Sequence, residues 1–164
     1  MEKIIIESPK YGTFEVLVDE ENFEELNQFK WNVQKDKNTF YAKRMITIDG
    51  KRTSIKMHRT ILNLSVGDKF VVDHINRNGL DNRKENLRIC TSQQNNWNTT
   101  STKNSSSKYL GVSWFKAGKK WHAQIRINGE VNHLGYFIKE LDAAVAYDKA
   151  AIINRQEFAS LNIL

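Results

Sequence analysis

The sequence holds a single cysteine, Cys90. One thiol forms no internal disulfide and cannot supply the four-ligand cage of a structural zinc site, so a reducing, cytoplasmic setting is expected, in a bacterial or phage-infected cell. Long apolar runs are missing as well. The N-terminal Ile4-Ile5-Ile6 is far shorter than a secretory core, and no stretch approaches the roughly 18 residues of a membrane span. No membrane partner is expected. What is present suits a folded chain: 164 residues, 40% hydrophobic and 27% charged, are enough for one domain or for two or three small ones with modest cores. The 25 Lys/Arg residues outnumber the 19 Asp/Glu residues. A net charge of +6 points to a polyanionic partner, with nucleic acid first, because basic side chains displace condensed counterions from phosphates.

Charge and pattern divide the chain. Residues 1–30 carry three lysines against eight acids, whereas residues 31–70 carry nine Lys/Arg against three acids. Segments 3–7, 13–18, 31–33, 40–48 and 53–56 are short and rich in β-branched or aromatic residues, and turn residues such as Asp49-Gly50 interrupt them; they predict strands. Phe23, Leu26 and Phe29 share one face of a predicted helix over 20–29, and a second short helix is predicted over 57–64. The run 101–107, Ser-Thr-Lys-Asn-Ser-Ser-Ser, is polar and aperiodic, the composition of a flexible linker. Beyond it, 109–115, 120–127 and 131–137 predict three strands, with Asn128-Gly129 a strong hairpin signal, and alanine-rich 140–155 predicts a helix. The expected fold class is α+β. It comprises a β-rich region (1–56), a central unit (57–100), a linker (101–107) and a three-stranded antiparallel sheet packed on one helix (108–164).

Residues 70–88 read strand, polar loop, strand, and Thr91-Ser92-Gln93-Gln94 then fits a helix capping box. A hairpin followed by a helix brings the end of its first strand beside the helix, so Asp73, His74 and Asn95 are expected to form one site. Phosphodiester cleavage needs a base to deprotonate water and a cation to offset charge building on the phosphate. His74 is suited to be the base, since imidazole titrates near neutral pH. Asp73 and Asn95 are hard oxygen ligands suited to one divalent metal ion, Mg²⁺ first and Mn²⁺ as the alternative.

The same stretch resembles the HNH nuclease motif of phage and intron homing endonucleases, here as His74, Asn86 and Asn95, twelve and nine residues apart. Asp73-His74, Asn86-Leu87-Arg88 and Asn95-Asn96-Trp97-Asn98 also look like that family. The resemblance implies a ββα-metal finger in which Asp73 and Asn95 bind the metal and His74 activates water. Asn86 would hold the loop and the histidine. His58 lies in a segment similar to the short helix that often precedes the motif, and reads as a packed residue. Cys90 reads as a small apolar group in the second strand. Arg59, Arg77 and Arg88 are the expected phosphate contacts around this centre.

The C-terminal segment resembles the ethylene-response-factor (APETALA-type) DNA-binding domain, through Ser107-Lys108-Tyr109-Leu110-Gly111-Val112, Trp121-His122-Ala123-Gln124-Ile125-Arg126, Leu134-Gly135-Tyr136-Phe137 and the alanine-rich helix. That likeness implies a sheet in the major groove with the helix behind it. Alternation supports this independently: Trp121, Ala123, Ile125 and Ile127 share one face, and His122, Gln124 and Arg126 share the other. Gln124 and Arg126 are the expected base readers; Ser113, His122, Lys116, Lys119 and Lys120 complete the expected DNA-binding face. Trp114, Trp121 and Tyr136 read as core packing, and Phe115 has the parity of the DNA face. The plant pattern has arginine where Ser113 stands, so its sequence preference does not transfer. The function expected is a metal-dependent, site-directed DNA endonuclease of homing type, acting on double-stranded DNA as monomer or homodimer. A catalytically inactive DNA-binding regulator is the alternative. Joint retention of Asp73, His74 and Asn95 favours the enzyme.

Overall fold

The computed structural model describes residues 1–102 and 104–163; Lys103, in the expected linker, and Leu164, in the expected C-terminal domain, lie outside the described residues. The chain divides into two compact units, Met1–Asn95 and a second beginning at Asn96. No helix among the described residues is long and apolar enough to cross a membrane.

The first unit opens with an antiparallel hairpin, β1 (Glu2–Ser8) and β2 (Gly12–Val18), followed by α1 (Glu20–Asn27). Period-two alternation sends Ile4, Ile6, Val16 and Val18 into the core while Lys3 and Glu15 pair outside. Leu26 of α1 joins that core, and the Trp31 indole N–H donates to the Leu26 carbonyl at 2.7 Å, closing the helix onto the next segment. A meander follows, with β3 (Asn32–Asp36), β4 (Thr39–Ile48) and β5 (Lys51–Lys56) in that order in one sheet. Asp49 and Gly50 both take positive φ at the β4–β5 turn, as their sequence predicts. Strand β5 runs directly into the short helix α2 (Met57–Ile61), which is shorter than expected and anchors Met57 and Ile61 in the same core.

The central hairpin pairs β6 (Val71–His74) with β7 (Leu87–Cys90), placing Asp73 opposite Arg88 and His74 opposite Leu87. Its long loop is braced by the N-terminal hairpin. The Leu17 amide donates to the Leu80 carbonyl at 2.9 Å and the Asn82 amide donates to the Leu17 carbonyl at 2.8 Å. Gly79 permits the other brace: its amide donates to Thr39 Oγ1 at 2.9 Å, and a Cβ there would stand 2.5 Å from the Phe40 carbonyl oxygen. The acidic, β-rich head thus stiffens the polar loop. Helix α3 (Ser92–Trp97) begins with the expected capping box, the Thr91 amide donating to Gln94 Oε1 at 2.8 Å and the Gln94 amide to Thr91 Oγ1 at 3.2 Å.

The second unit is a three-stranded antiparallel sheet, β8 (Val112–Phe115), β9 (Lys120–Ile127) and β10 (Glu130–Phe137), backed by α4 (Glu140–Arg155). Ala123 and Ile125 are buried against Ala143, Ala144, Tyr147 and Ala151, the small residues letting helix and sheet approach closely. Gly111 sits at φ +73, and any side chain there would strike the Tyr147 ring. The fully buried Asp148 carboxylate accepts from the Asn162 and Ile163 amides, tying the chain end to the helix. Two differences from the sequence reading stand out. The serine-rich segment is tied to this unit: Ser107 Oγ donates to Glu140 Oε1 at 2.7 Å, Ser101 Oγ to the Ser107 carbonyl at 2.9 Å, and Ser106 Oγ accepts from the Trp114 amide at 2.8 Å. Small hydroxyl residues look flexible until a distant partner such as Glu140 is in reach. Tyr136 is not core. A bulge between His133 and Gly135 shifts the register of β10, so Leu134 and Phe137 pack inward and Tyr136 is 55% exposed.

Candidate functional site

Asp73 and His74 end strand β6, and both are almost fully buried, at 3% and 4% exposure. Asn95 lies in the first turns of α3. The Cys90 side chain links the two: its thiol is pushed up chiefly by burial, and the backbone N–H groups of Asp73 and Asn95 both approach its sulfur. The end of the first strand and the helix therefore meet, with Cys90 packed between them. Asn86 follows a 3-10 turn over Lys84–Asn86 and is buried. Its Nδ2 donates to the Asp81 carbonyl at 2.8 Å and its Oδ1 accepts from the Asn76 amide at 2.9 Å, so it cross-links the loop from inside.

Burial against neighbouring rings governs the electrostatics at His74. The His74 ring lies 4.9 Å from the His58 ring and 5.6 Å from the Tyr41 ring. Burial lowers its pKa from the usual imidazole value, partly countered by a hydrogen bond to Asn82 and by the charges of Asp73 and Asp81. His58 is more strongly affected, pushed down to about 2 by burial, with His74, Lys56 and Arg59 adding to the effect. Both rings are neutral at pH 7. Lys56, whose own pKa is lowered chiefly by burial, sits 3.9 Å above the Tyr41 ring and adds positive charge near both histidines. The His74 Nε2 to Asn82 Oδ1 distance is 3.3 Å. With the amide oxygen as acceptor, the proton of the neutral ring sits on Nε2 and Nδ1 is the basic nitrogen.

Arg88 lies across the hairpin from Asp73, and its Nε and Nη2 approach Asp73 Oδ2 at 2.8 and 2.6 Å. Its guanidinium is thus engaged inside the site. Arg59 is engaged too: its guanidinium donates to the Phe70 carbonyl at 3.1 Å and to the Ser65 carbonyl, and faces Asp68, pinning the segment between α2 and β6. Arg77 is exposed in the hairpin loop, at φ +64. Asn82, Tyr41 and Lys56 carried no signal strong enough to single them out. Asn82 lay within the polar loop and was legible as a polar residue only; Tyr41 and Lys56 reach the site through the β4–β5 sheet, which no local pattern reveals.

On the C-terminal sheet, Ser113, His122, Gln124 and Arg126 fall on the face away from α4, and Lys116, Lys119 and Lys120 cluster at the exposed β8–β9 turn. The Arg126 guanidinium donates to the Gly129 carbonyl at 3.0 Å, which holds it beside the hairpin turn. His122 Nε2 and His133 Nδ1 are 2.9 Å apart.

Among the described residues, no group of three or more His, Cys, Asp or Glu side chains gathers to hold a metal. The donor chemistry nevertheless fits one hard cation. One buried carboxylate, Asp73, and one amide oxygen source, Asn95, lie on elements that meet at Cys90, and Mg²⁺ is commonly held by one or two protein oxygens with waters and substrate phosphate completing its shell. No soft ligand competes, Cys90 being buried with a raised pKa.

Residues 56–97 match the family model described as HNH endonuclease. Protein 3.8 of Escherichia phage T7 is 31% identical over 61 residues, covering 37% of this chain and 50% of that protein. A protein of Acanthamoeba polyphaga mimivirus named as an uncharacterized HNH endonuclease is 29% identical over 137 residues, covering 81% of this chain and 71% of that protein. The chain thus spans half the length of the phage relative. Residues 56–97 are thus similar to HNH endonuclease domains, a family that acts on DNA and generally works with a divalent metal ion.

Proposed function

We propose that the chain uses its HNH endonuclease domain to hydrolyse phosphodiester bonds in double-stranded DNA at sites chosen by the C-terminal sheet, as a homing-type enzyme. The observation that carries this reading is the neutral, buried His74 beside Asp73, whose backbone meets that of Asn95 at Cys90. His74 Nδ1 takes the proton of the attacking water while Nε2–H stays on Asn82. Asn86 keeps the loop, and with it Asn82, in place. Asp73 and Asn95 would hold the divalent cation, Mg²⁺ first, which when bound supplies positive charge to the phosphate. Arg77, exposed in the loop, is suited to contact the backbone. What supports the reading of the second unit as an ethylene-response-factor-like reader is a sheet with one face buried on a helix and the other bearing Gln124, Arg126 and the turn lysines. A single centre in a monomer cuts one strand per visit. Purified protein with supercoiled DNA and Mg²⁺ or Mn²⁺ is expected to give nicked circles with ends at defined positions. Circles left intact with either ion would sink the reading.

The pH profile tests the arrangement around His74. A general base acts only when neutral, so the rate falls as pH drops through its pKa. Burial lowers that pKa, and the acid limb of single-turnover cleavage is therefore expected below the ordinary imidazole value of about 6.5. A cation on Asp73 acts in the same direction, because it offsets the charge that raises the His74 pKa. Asn82→Asp keeps the acceptor and adds negative charge, so its acid limb is expected to move to higher pH. Asn82→Ala, which frees the tautomer, should lower the rate with little change in DNA affinity. A parent profile with its limb at or above about 6.5 would remove the lowered pKa from the base, and an Asn82→Asp profile that overlays the parent's would remove Asn82 from this role. Stability follows the same sign: below about pH 6.5 the unfolded chain binds protons that buried His58 and His74 refuse, so acid destabilises the first unit.

A further inference from the structure

Four rings cross the outer face of the C-terminal sheet in an unbroken row, each strand contributing. Phe115 of β8 lies 5.1 Å from Tyr136 of β10, Tyr136 stacks at 4.9 Å on His122 of β9, and His122 lies 5.0 Å from His133 of β10. The bulge in β10 makes the row possible. His133 and Tyr136, three residues apart, would face opposite sides of a regular strand, but the extra residue puts both on the outer face, opposite Gln124 and His122 respectively. Phe115 is 42% and Tyr136 55% exposed, and α4 covers the other side of the sheet. Exposed aromatic surface of this kind marks a contact with something.

We propose that this row is a methyl-reading ridge, which meets the 5-methyl groups of thymine in the major groove and makes the sheet selective for thymine at the base pairs it covers. The inference rests on the reading that this sheet faces duplex DNA. The surrounding charge fits a nucleic acid: Lys116, Lys119 and Lys120 lie at the Phe115 end, and Arg126 lies on the same face beyond Gln124. Ring geometry favours a duplex over a single strand. Interplanar angles of 30° to 40° at about 5 Å mean that neighbouring rings cover one another's faces. A splayed base therefore finds few open faces to stack on, whereas the row still offers hydrocarbon to methyl groups standing in a groove. Thymine is the base that presents such a methyl, and apolar contact with it is a recognised mode of readout. Gln124 and Arg126 would read neighbouring bases by hydrogen bonds while the ridge reads by shape.

The test uses the full-length chain in excess chelator, so that DNA is bound and not cut. Duplexes selected from a randomised library by the parent chain are resynthesised with uracil, which lacks only the methyl, in place of thymine. The parent is expected to bind the thymine duplex roughly fourfold more tightly for each methyl the ridge covers. The Phe115→Ala, Tyr136→Ala double variant is expected to lose that difference while keeping the parent's melting temperature, since both side chains are exposed. Equal binding of thymine and uracil duplexes by the parent overturns the proposal without any variant, and so does a double variant that still discriminates. Preferential binding of a single strand, lost in the double variant, would make the face a stacking platform and also overturn it. Arg126→Ala separates the premise from the inference. If it relaxes preference at one base pair by on the order of tenfold or more, the sheet is a reader whatever the ridge does. If neither Arg126→Ala nor the double variant alters preference, the reader assignment itself falls.

Discussion

Replacing His74 with alanine is expected to slow cleavage about 10²–10⁴-fold, the usual cost of losing a positioned base, while DNA affinity stays within about twofold. The reason lies in what the ring touches. It is buried among His58, Tyr41 and Asn82 and is neutral at pH 7, so it offers no charge to a phosphate and contributes little to binding. Single-turnover cleavage and equilibrium binding of the same duplex measure the two quantities separately. Parallel loss of both would mean that the substitution has disturbed the hairpin, and His74→Gln, which keeps the volume and a hydrogen bond to Asn82, then decides. A His74→Gln enzyme as fast as the parent would remove His74 from the chemistry.

The second large effect concerns Asp73. Chelation of divalent ions, or Asp73→Ala, is expected to lower the cleavage rate on the order of 10³-fold, because Lewis-acid stabilisation of the reacting phosphate is worth several kcal/mol. The two treatments differ in their side effects. Asp73→Ala also removes the buried carboxylate that Arg88 Nε and Nη2 both approach, so this variant is expected to be less stable than the parent as well as slower. Asn95→Ala leaves the Asp73–Arg88 pair intact. It should lose activity that rising Mg²⁺ partly restores, since the carboxylate remains to hold the ion. A metal titration of cleavage for all three chains distinguishes these outcomes, and undiminished cutting in excess chelator would remove the metal from the reaction.

Much of the site was legible in the linear order of residues. Asp73, His74 and Asn95 could be singled out because hairpin, loop and capping box are local structures, and local structure follows from turn chemistry, alternation and a capping residue within a few positions; Asn86 stood out only through the likeness of the motif to HNH nucleases. The same holds for the second unit, where alternation along β9 marked Ala123 and Ile125 as inward and Gln124 and Arg126 as outward, and the alanine-rich run marked α4.

Contacts between residues far apart in the chain decided the rest. Tyr41, Lys56 and His58 stand around His74 only because β5 runs directly into α2 beside the central hairpin. Arg59 and Arg88, basic and near the motif, looked like phosphate contacts. The fold supplies Arg59 with two carbonyls and Asp68, and Arg88 with Asp73, partners that net charge along the chain does not reveal. In the serine-rich segment, Ser107 found its partner in Glu140, 33 positions further along the chain. One bulged residue in β10 turned Tyr136 from an expected core residue into part of an exposed ring row. Local propensity thus determined which elements form and which chemistry-bearing residues they display. Tertiary packing determined which of those residues are neutralised, which are buried, and which stay exposed, because burial and pairing depend on neighbours that only the folded chain brings together.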